Sequence, residues 1–490
     1  MRVRSAFFCM FLIVVMLGGC SDGGQPKAGA RQSAEPATNI ILLIGDGMGP
    51  EVIGLAKDYA QALEKRELWM EKVLSDGHLA LVRSTATGKL AADSAAAATA
   101  LATGVQVDNM SVSVTPEGKP LTTILEMARV QSKSTGLVTT TRLTHATPAC
   151  FAAHTADRDS EAEIAKQLAS SDIDVMMGGG LTWWIPAGKP VAEYARFGNE
   201  AGVDYKSSRT DELNLLTKAI SAGYRLATNR DELLAANRTG KLLGLFASSH
   251  LPYALDRQPN DAANVPSLAE MTEVALSILS KNQKGFFLMV EGGRIDHAAH
   301  NNDVASLIAD MLDFDEAVGV AYTFAEKHPN TALFITADHA TGAPSLSARY
   351  DEKAGDTVYP DDSAMRKISR QDASFERIMT TLAVRPSAAA LRELVAKHTG
   401  IKLSDEDAAF IMKAEPVSPF HVIRPKYRQF GYPTLALGRV LGVEYGTAWA
   451  TAEHYATPVL LIGYGPRSNL AHGYLENTDV FKIMKTAGAL

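Results

Sequence analysis

"NIILLIGDGMG", residues 39–49, is an unbroken apolar run that ends in Gly-Asp-Gly, the pattern of a β-strand buried on both faces with a polar residue at its carboxyl end. Three later runs repeat that form: "GFFLMVEGG" (285–293), "TALFITADH" (331–339) and "PVLLIGYGP" (458–466). "STGLVTTT" (134–141) and "DVMMGGG" (174–180) are predicted as strands of the same sheet. Helical patterns fall between them, over 50–74, 121–131, 160–169 and 304–327. Strands alternating with helices predict an α/β fold with a large central, mostly parallel sheet flanked by helices on both faces. Acidic residues recur at the strand ends, Asp46, Glu291 and Asp338, where open α/β sheets place their ligands. Residues 343–450, rich in charge and short helical segments, are predicted to be an insertion on the sheet, a cap rather than a separate domain.

Of the 490 residues, 46% are hydrophobic and 21% charged, ordinary globular composition with enough apolar material for one large core or two smaller ones. The formal net charge of -7 carries no basic footprint, so no nucleic-acid polymer is expected as a partner, although small anions could bind locally. At the start, Arg2 and Arg4 precede an apolar run, Ala6 to Leu17, too short to span a bilayer comfortably but right for a signal-peptide core. "LGGC", Leu17 to Cys20, resembles a bacterial lipobox: residues 1–19 would be removed and Cys20 lipidated, the alternative being an ordinary secretory signal cut nearby. Residues 20–37, polar and rich in Gly and Pro, are expected to be a flexible tether to a folded body over 38–490. The expected location is the periplasmic face or cell envelope, anchored at Cys20, with Ser21 favouring the outer membrane. Cys150 is then the only cysteine of the mature body, which excludes an internal disulfide, and "ATPACFAAH" makes it a buried inert thiol rather than a nucleophile.

The densest chemistry lies in "EGGRIDHAAHNND", residues 291–303. With a helix beginning near Ile295, Asp296 and His300 lie four apart on one face, where a carboxylate and an imidazole can share a metal ion. "TADHATGAP" sets Asp338 and His339 side by side just past a buried strand, where a loop lets both converge; alone, the aspartate could equally cap a turn. His454 precedes the 458–466 run and by itself reads as a structural histidine. Together Asp46, Asp296/His300, Asp338/His339 and His454 form a mixed Asp/His set, which suits Zn²⁺ rather than the all-oxygen sets of Mg²⁺ or Ca²⁺. Two zinc ions about 4 Å apart would clamp the attacking and leaving oxygens of a displacement at phosphorus.

"KLAADSAAAATALATGV", residues 89–105, then makes chemical sense. Asp93 or Ser94 can cap the helix, while a serine in its first turn also has the helix dipole and free N–H groups beside its oxygen. With zinc on the hydroxyl, Ser94 could ionise near neutral pH and attack phosphorus without a histidine base.

In order along the chain, "GDGMG", "ADSAAAATALATG", "THATPACFAAHTADRD", "EGGRIDHAAH", "TADHATG" and "EHYATPV" resemble the alkaline phosphatases over nearly the whole folded body. The resemblance implies a phosphate monoesterase working through a phosphoseryl intermediate on Ser94. It implies one zinc on Asp296, His300 and His454, a second on Asp46, Asp338 and His339, and magnesium on Asp46, Thr147 and Glu291. Arg158 would hold two phosphate oxygens through its planar fork. His145 and His297 stand where the best-known enterobacterial pattern has Asp and Lys, as in the animal enzymes, and an imidazole beside the third site makes zinc an alternative to magnesium there. The family is often dimeric. The same superfamily fold also serves phosphodiesterases, sulfatases and phosphomutases. Serine as nucleophile, the absence of a "CxPxR" setting and Arg158 favour small phosphate monoesters as substrates; a non-catalytic phosphate- or metal-binding lipoprotein is the alternative from another class.

Overall fold

The computed structural model describes residues 35–490 except 196, 198–204, 237–239, 258–263, 352–354 and 415–427. The signal peptide, Cys20 and most of the tether lie outside the described residues.

Sixteen strands occur among the described residues. Eight come first: β1 (Asn39–Gly45), β2 (His78–Arg83), β3 (Ser134–Arg142), β4 (Val175–Gly179), β5 (Tyr224–Ala227), β6 (Lys241–Leu245), β7 (Phe286–Gly292) and β8 (Thr331–Thr336). Six short ones follow: β9 (Ala340–Thr341), β10 (Pro344–Leu346), β11 (Arg349–Asp351), β12 (Asp356–Val358), β13 (Thr447–Trp449) and β14 (His454–Tyr455), paired as β9–β14, β10–β13 and β11–β12. With β15 (Val459–Tyr464) and β16 (Gly473–Glu476), the first eight build a ten-stranded sheet in the order β16-β2-β15-β8-β1-β7-β3-β4-β6-β5. All neighbours run parallel except at β15, which opposes both β2 and β8.

Consecutive strand residues point to opposite faces, and Ile41, Leu42, Leu43 and Ile44 of β1 are all fully buried, so both faces are covered. Each such side chain contributes about 1.5–3 kcal/mol by leaving water. The helix Val304–Lys327 packs against β1, β7 and β8, and Leu268–Leu279 against β3, β4 and β7. Among the described residues no helix is long and apolar enough to cross a membrane.

The predicted helix over 50–74 is broken. Pro50–Tyr59 runs into a π-helical turn, Ala60–Glu64, and Lys65 takes a left-handed conformation (φ 53°) before a second helix, Trp69–Asp76. The second start is set from elsewhere in the chain: the buried Asp315 carboxylate accepts from the N–H groups of Trp69 (2.9 Å) and Met70 (3.0 Å). The helix expected over 121–131 shortens to Ile124–Val130 because Thr123 and Glu126 form a capping box. Among the described residues, 343–450 contribute β10 to β13 and five helices, among them Phe375–Val384, all within the same compact unit as the sheet. Asp303 ties that stretch down, accepting from Gln371 Nε2 (2.8 Å) and the Phe375 N–H (2.7 Å).

Candidate active site and metal centre

Strand register brings the acidic groups to one edge. Ile44 lies level with both Glu291 and Thr336, so Asp46 just beyond β1, Glu291 on β7 and Asp338 just beyond β8 share one layer at the carboxyl ends. Because β15 runs the other way, the chain preceding it is at this same edge. There β14 pairs with β9, setting His454 opposite Thr341. Gly47 has φ +71°, and a Cβ on it would lie 2.8 Å from Asp296 Oδ1, so the turn after Asp46 needs glycine.

Asp296 and His300 share one face of the helix Arg294–His300. His300 Nε2 lies 3.2 Å from Asp296 Oδ2 and 3.2 Å from His454 Nε2, and His454 Nε2 lies 3.7 Å from Asp296 Oδ1. Carbonyl oxygens only accept, so the Nδ1 atoms facing Ala452 O and Ala92 O are the protonated ones. In the neutral rings both Nε2 lone pairs then turn inward, as metal-ligating imidazoles require; burial lowers His300 but Asp296 outweighs it and holds it near 9, so its Nε2 must first give up a proton. His339 Nε2 lies 3.5 Å from Asp46 Oδ1, 3.3 Å from Asp338 Oδ2 and 3.2 Å from Ser94 Oγ. The Thr341 hydroxyl bridges Asp296 Oδ1 (2.6 Å) and His339 Nδ1 (3.2 Å).

Among the described residues, three sets have ligand atoms within 4.8 Å of one another: Asp46/Asp338/His339, Asp296/His339/His454 and Asp46/His145/Glu291. The first is a set implied by the family resemblance. In the second, His339, whose ring stacks on His454 at 3.6 Å, stands beside Asp296 and His454 where His300 was expected, while His300 touches both. In the third, His145 joins Asp46 and Glu291; Thr147, the residue expected there, is fully buried against Glu291.

Burial raises Asp46 well above the usual carboxylate range, reinforced by Asp338, Asp296 and Glu291. Burial likewise lifts Asp338 to about 8 and Glu291 to about 6. Burial also raises Asp296, but the neighbouring His300 and His454 outweigh it and hold it well below its ordinary value. Burial depresses His339, His145 and His297, and brings His454 to about 4. Asp338 Oδ2 and both oxygens of Asp46 are buried without a hydrogen-bond partner. Unpaired buried carboxylate oxygens beside imidazoles held neutral are the donor set that divalent cations satisfy.

Ser94 opens the helix Ser94–Thr103, all ten residues of which are buried. Asp93 is its N-cap, Oδ1 accepting from the Ala96 N–H at 2.9 Å, while Oδ2 accepts from Arg158 NH1 at 3.2 Å. Capping and the site therefore share one aspartate. Arg158 NH2 donates to His145 Nε2 (3.1 Å), so the arginine stands in the site and not on the surface. Cys150 is the inert thiol expected, buried and pushed up to about 12 by burial. Trp184 is fully buried and packs in the core.

Some residues of the site escape sequence reading. Thr139 and Thr141, in the "TTT" end of β3, hydrogen-bond Glu291 Oε2. His250 lies edge-on to His145 and His297, at 5.3 and 4.4 Å between ring centroids, and contacts Arg142, which is paired in turn with Glu161 (2.8 and 2.7 Å). The threonine run was the only local signal; His250 sits alone in its own stretch of chain.

The family profile described as alkaline phosphatase matches residues 37–391. The chain belongs to the alkaline phosphatase family. It is 30% identical to alkaline phosphatase 4 of Bacillus subtilis, covering 99% of this chain and 98% of that one, and 35% identical to the Escherichia coli alkaline phosphatase over 68% and 78%. Among solved structures, the Thermus thermophilus alkaline phosphatase superposes with a TM-score of 0.81 at 28% identity, covering 98% of this chain and 96% of that one. An alkaline phosphatase is a hydrolase of phosphate monoesters, and the clustered carboxylates and imidazoles of this chain are groups that could hold metal ions.

Proposed function

We propose that the chain hydrolyses phosphate monoesters through a phosphoseryl intermediate on Ser94, with two zinc ions and a third metal. The observation that carries this is Ser94 Oγ, at the start of a buried helix and 3.2 Å from His339 Nε2, among buried carboxylate oxygens that have no hydrogen-bond partner. Asp296, His300 and His454 would hold one zinc, and Asp46, Asp338 and His339 the other. Asp46, Thr147 and Glu291 would hold magnesium, or zinc given the nearness of His145. Bound there, the cations supply the Lewis-acid charge that makes serine and water nucleophilic and neutralises phosphoryl oxygens.

Arg158, anchored on Asp93, offers its fork to two phosphoryl oxygens. The Ser94 oxygen attacks phosphorus, the ester P–O bond breaks and the alcohol leaves. Water then attacks the phosphoserine, returning the serine oxygen and releasing inorganic phosphate. The dipole of the helix Ser94–Thr103 favours negative charge at its first residue in both steps. The chain is further proposed to be exported and held by lipid at Cys20, with 20–37 as tether and 343–450 as a cap, and to form dimers.

The test is turnover of p-nitrophenyl phosphate against bis-p-nitrophenyl phosphate by residues 38–490, with zinc and magnesium and after chelation. Fast monoester hydrolysis that chelation abolishes and metal restores is expected. Preference for the diester would move the chain to a phosphodiesterase role, and no turnover with metal demonstrably bound would favour a binding protein.

A further inference from the structure

Arg294 opens the helix Arg294–His300 and is only 3% exposed, a costly place for a guanidinium unless its donors are used; both terminal nitrogens are, while Nε is buried without a hydrogen-bond partner. NH2 donates to Glu376 Oε2 (2.8 Å) on the helix Phe375–Val384. The guanidinium carbon lies 3.7 Å from the centroid of the Tyr253 ring, a cation–π contact. NH1 lies 2.8 Å from His297 Nδ1. Arginine only donates, so Nδ1 must accept, and a neutral His297 then carries its proton on Nε2. That nitrogen bonds no described residue, and the ring is partly exposed. Its neighbour at 5.5 Å is His145, whose Nε2 accepts from Arg158. His297 therefore stands at the Arg158 end of the site.

We propose that Arg294, braced by Tyr253 and Glu376, is a positioning residue that holds His297 as an Nε2–H donor to the phosphoryl group, directly or across one water. The opposite tautomer would turn a lone pair toward an anion. Through Glu376 the 343–450 stretch thus reaches the site. The inference rests on the reading of Ser94 and Arg158 as the phosphate site.

Two measurements test it. With histidine-specific ¹⁵N labelling, His297 of the wild-type chain, assigned by its loss in His297→Ala, is expected to show a protonated Nε2 and a bare Nδ1; in Arg294→Met the two tautomers should mix. Binding of inorganic phosphate to the zinc-loaded protein should weaken about ten-fold in Arg294→Met, the worth of one charge-assisted hydrogen bond. It should weaken less in Glu376→Gln, which keeps an acceptor at a half-exposed position and serves if Arg294→Met folds poorly; Arg294→Lys, which retains a donor, should recover part of the loss. In a His297→Ala background the Arg294 substitution should have no further effect. A wild-type Nδ1–H tautomer, or an equal loss of phosphate affinity without His297, overturns the inference. If the wild-type protein binds no phosphate, the proposed function fails, while the tautomer still decides the role of Arg294.

Discussion

Thr341 gives its hydroxyl to Asp296 and touches His339, so one side chain orients groups of both proposed zinc sites. Groups that orient metal ligands typically carry 10–100-fold in metal affinity. Thr341→Val is therefore expected to weaken zinc binding about ten-fold at almost unchanged volume, measured by competition with a chromophoric chelator. Asp93→Ala removes both a helix cap, worth about 1 kcal/mol, and the anchor of Arg158; its kcat/KM should fall further than its stability, read from kinetics beside denaturant unfolding. That Asp46, Asp296, Asp338 and His339 converge was legible because each belongs to a dense local motif. His250, Arg142 and Arg294 were not, since each acquires meaning only from neighbours far away in sequence.

At the scale of elements, the strands predicted from sequence carry continuous apolar runs; β6, buried over four of its five residues, was not among them, its short run being interrupted by Gly244. β2 alternates buried and exposed residues, and β16 is a short edge strand with Tyr474 60% exposed, so neither carries that signature. The direction of β15 was equally hidden, because an apolar run reads the same in either orientation, yet that reversal is what delivers His454 to the site. The second helix start at Trp69 was missed because the group that sets it, the Asp315 carboxylate, lies in another helix. The alanines of Ser94–Thr103 are small because the helix is enclosed all round. Ala98→Leu should overpack it, costing about 1–3 kcal/mol and lowering the thermal midpoint, whereas a substitution that left the midpoint unchanged would mean the helix has free space around it.

For the whole molecule, the site stores like charge that the fold alone leaves uncompensated. Without metal, Asp338 near 8, Glu291 near 6 and His300 near 9 mean that the folded chain holds more protons than the unfolded one, and that stability is lost as pH rises through those values. For His300, burial pulls down and Asp296 lifts more strongly. His454 near 4 acts the other way, adding stability as pH rises from about 4 to 6.5. Chelated protein should thus lose thermal stability between about pH 7 and 9, and the gain on adding zinc should grow over that range as the ligands give up their protons. Calorimetry with and without zinc measures this; a chelated protein that grows more stable toward pH 9 would contradict it. The central claim, that Ser94 receives the phosphoryl group, is tested most directly by acid-quenching the metal-loaded enzyme during turnover and mapping the phosphopeptides by mass spectrometry. Phosphate on Ser94, absent from Ser94→Ala, is the expected result; turnover with phosphate on another residue, or undiminished in the Ser94→Ala enzyme, would contradict it.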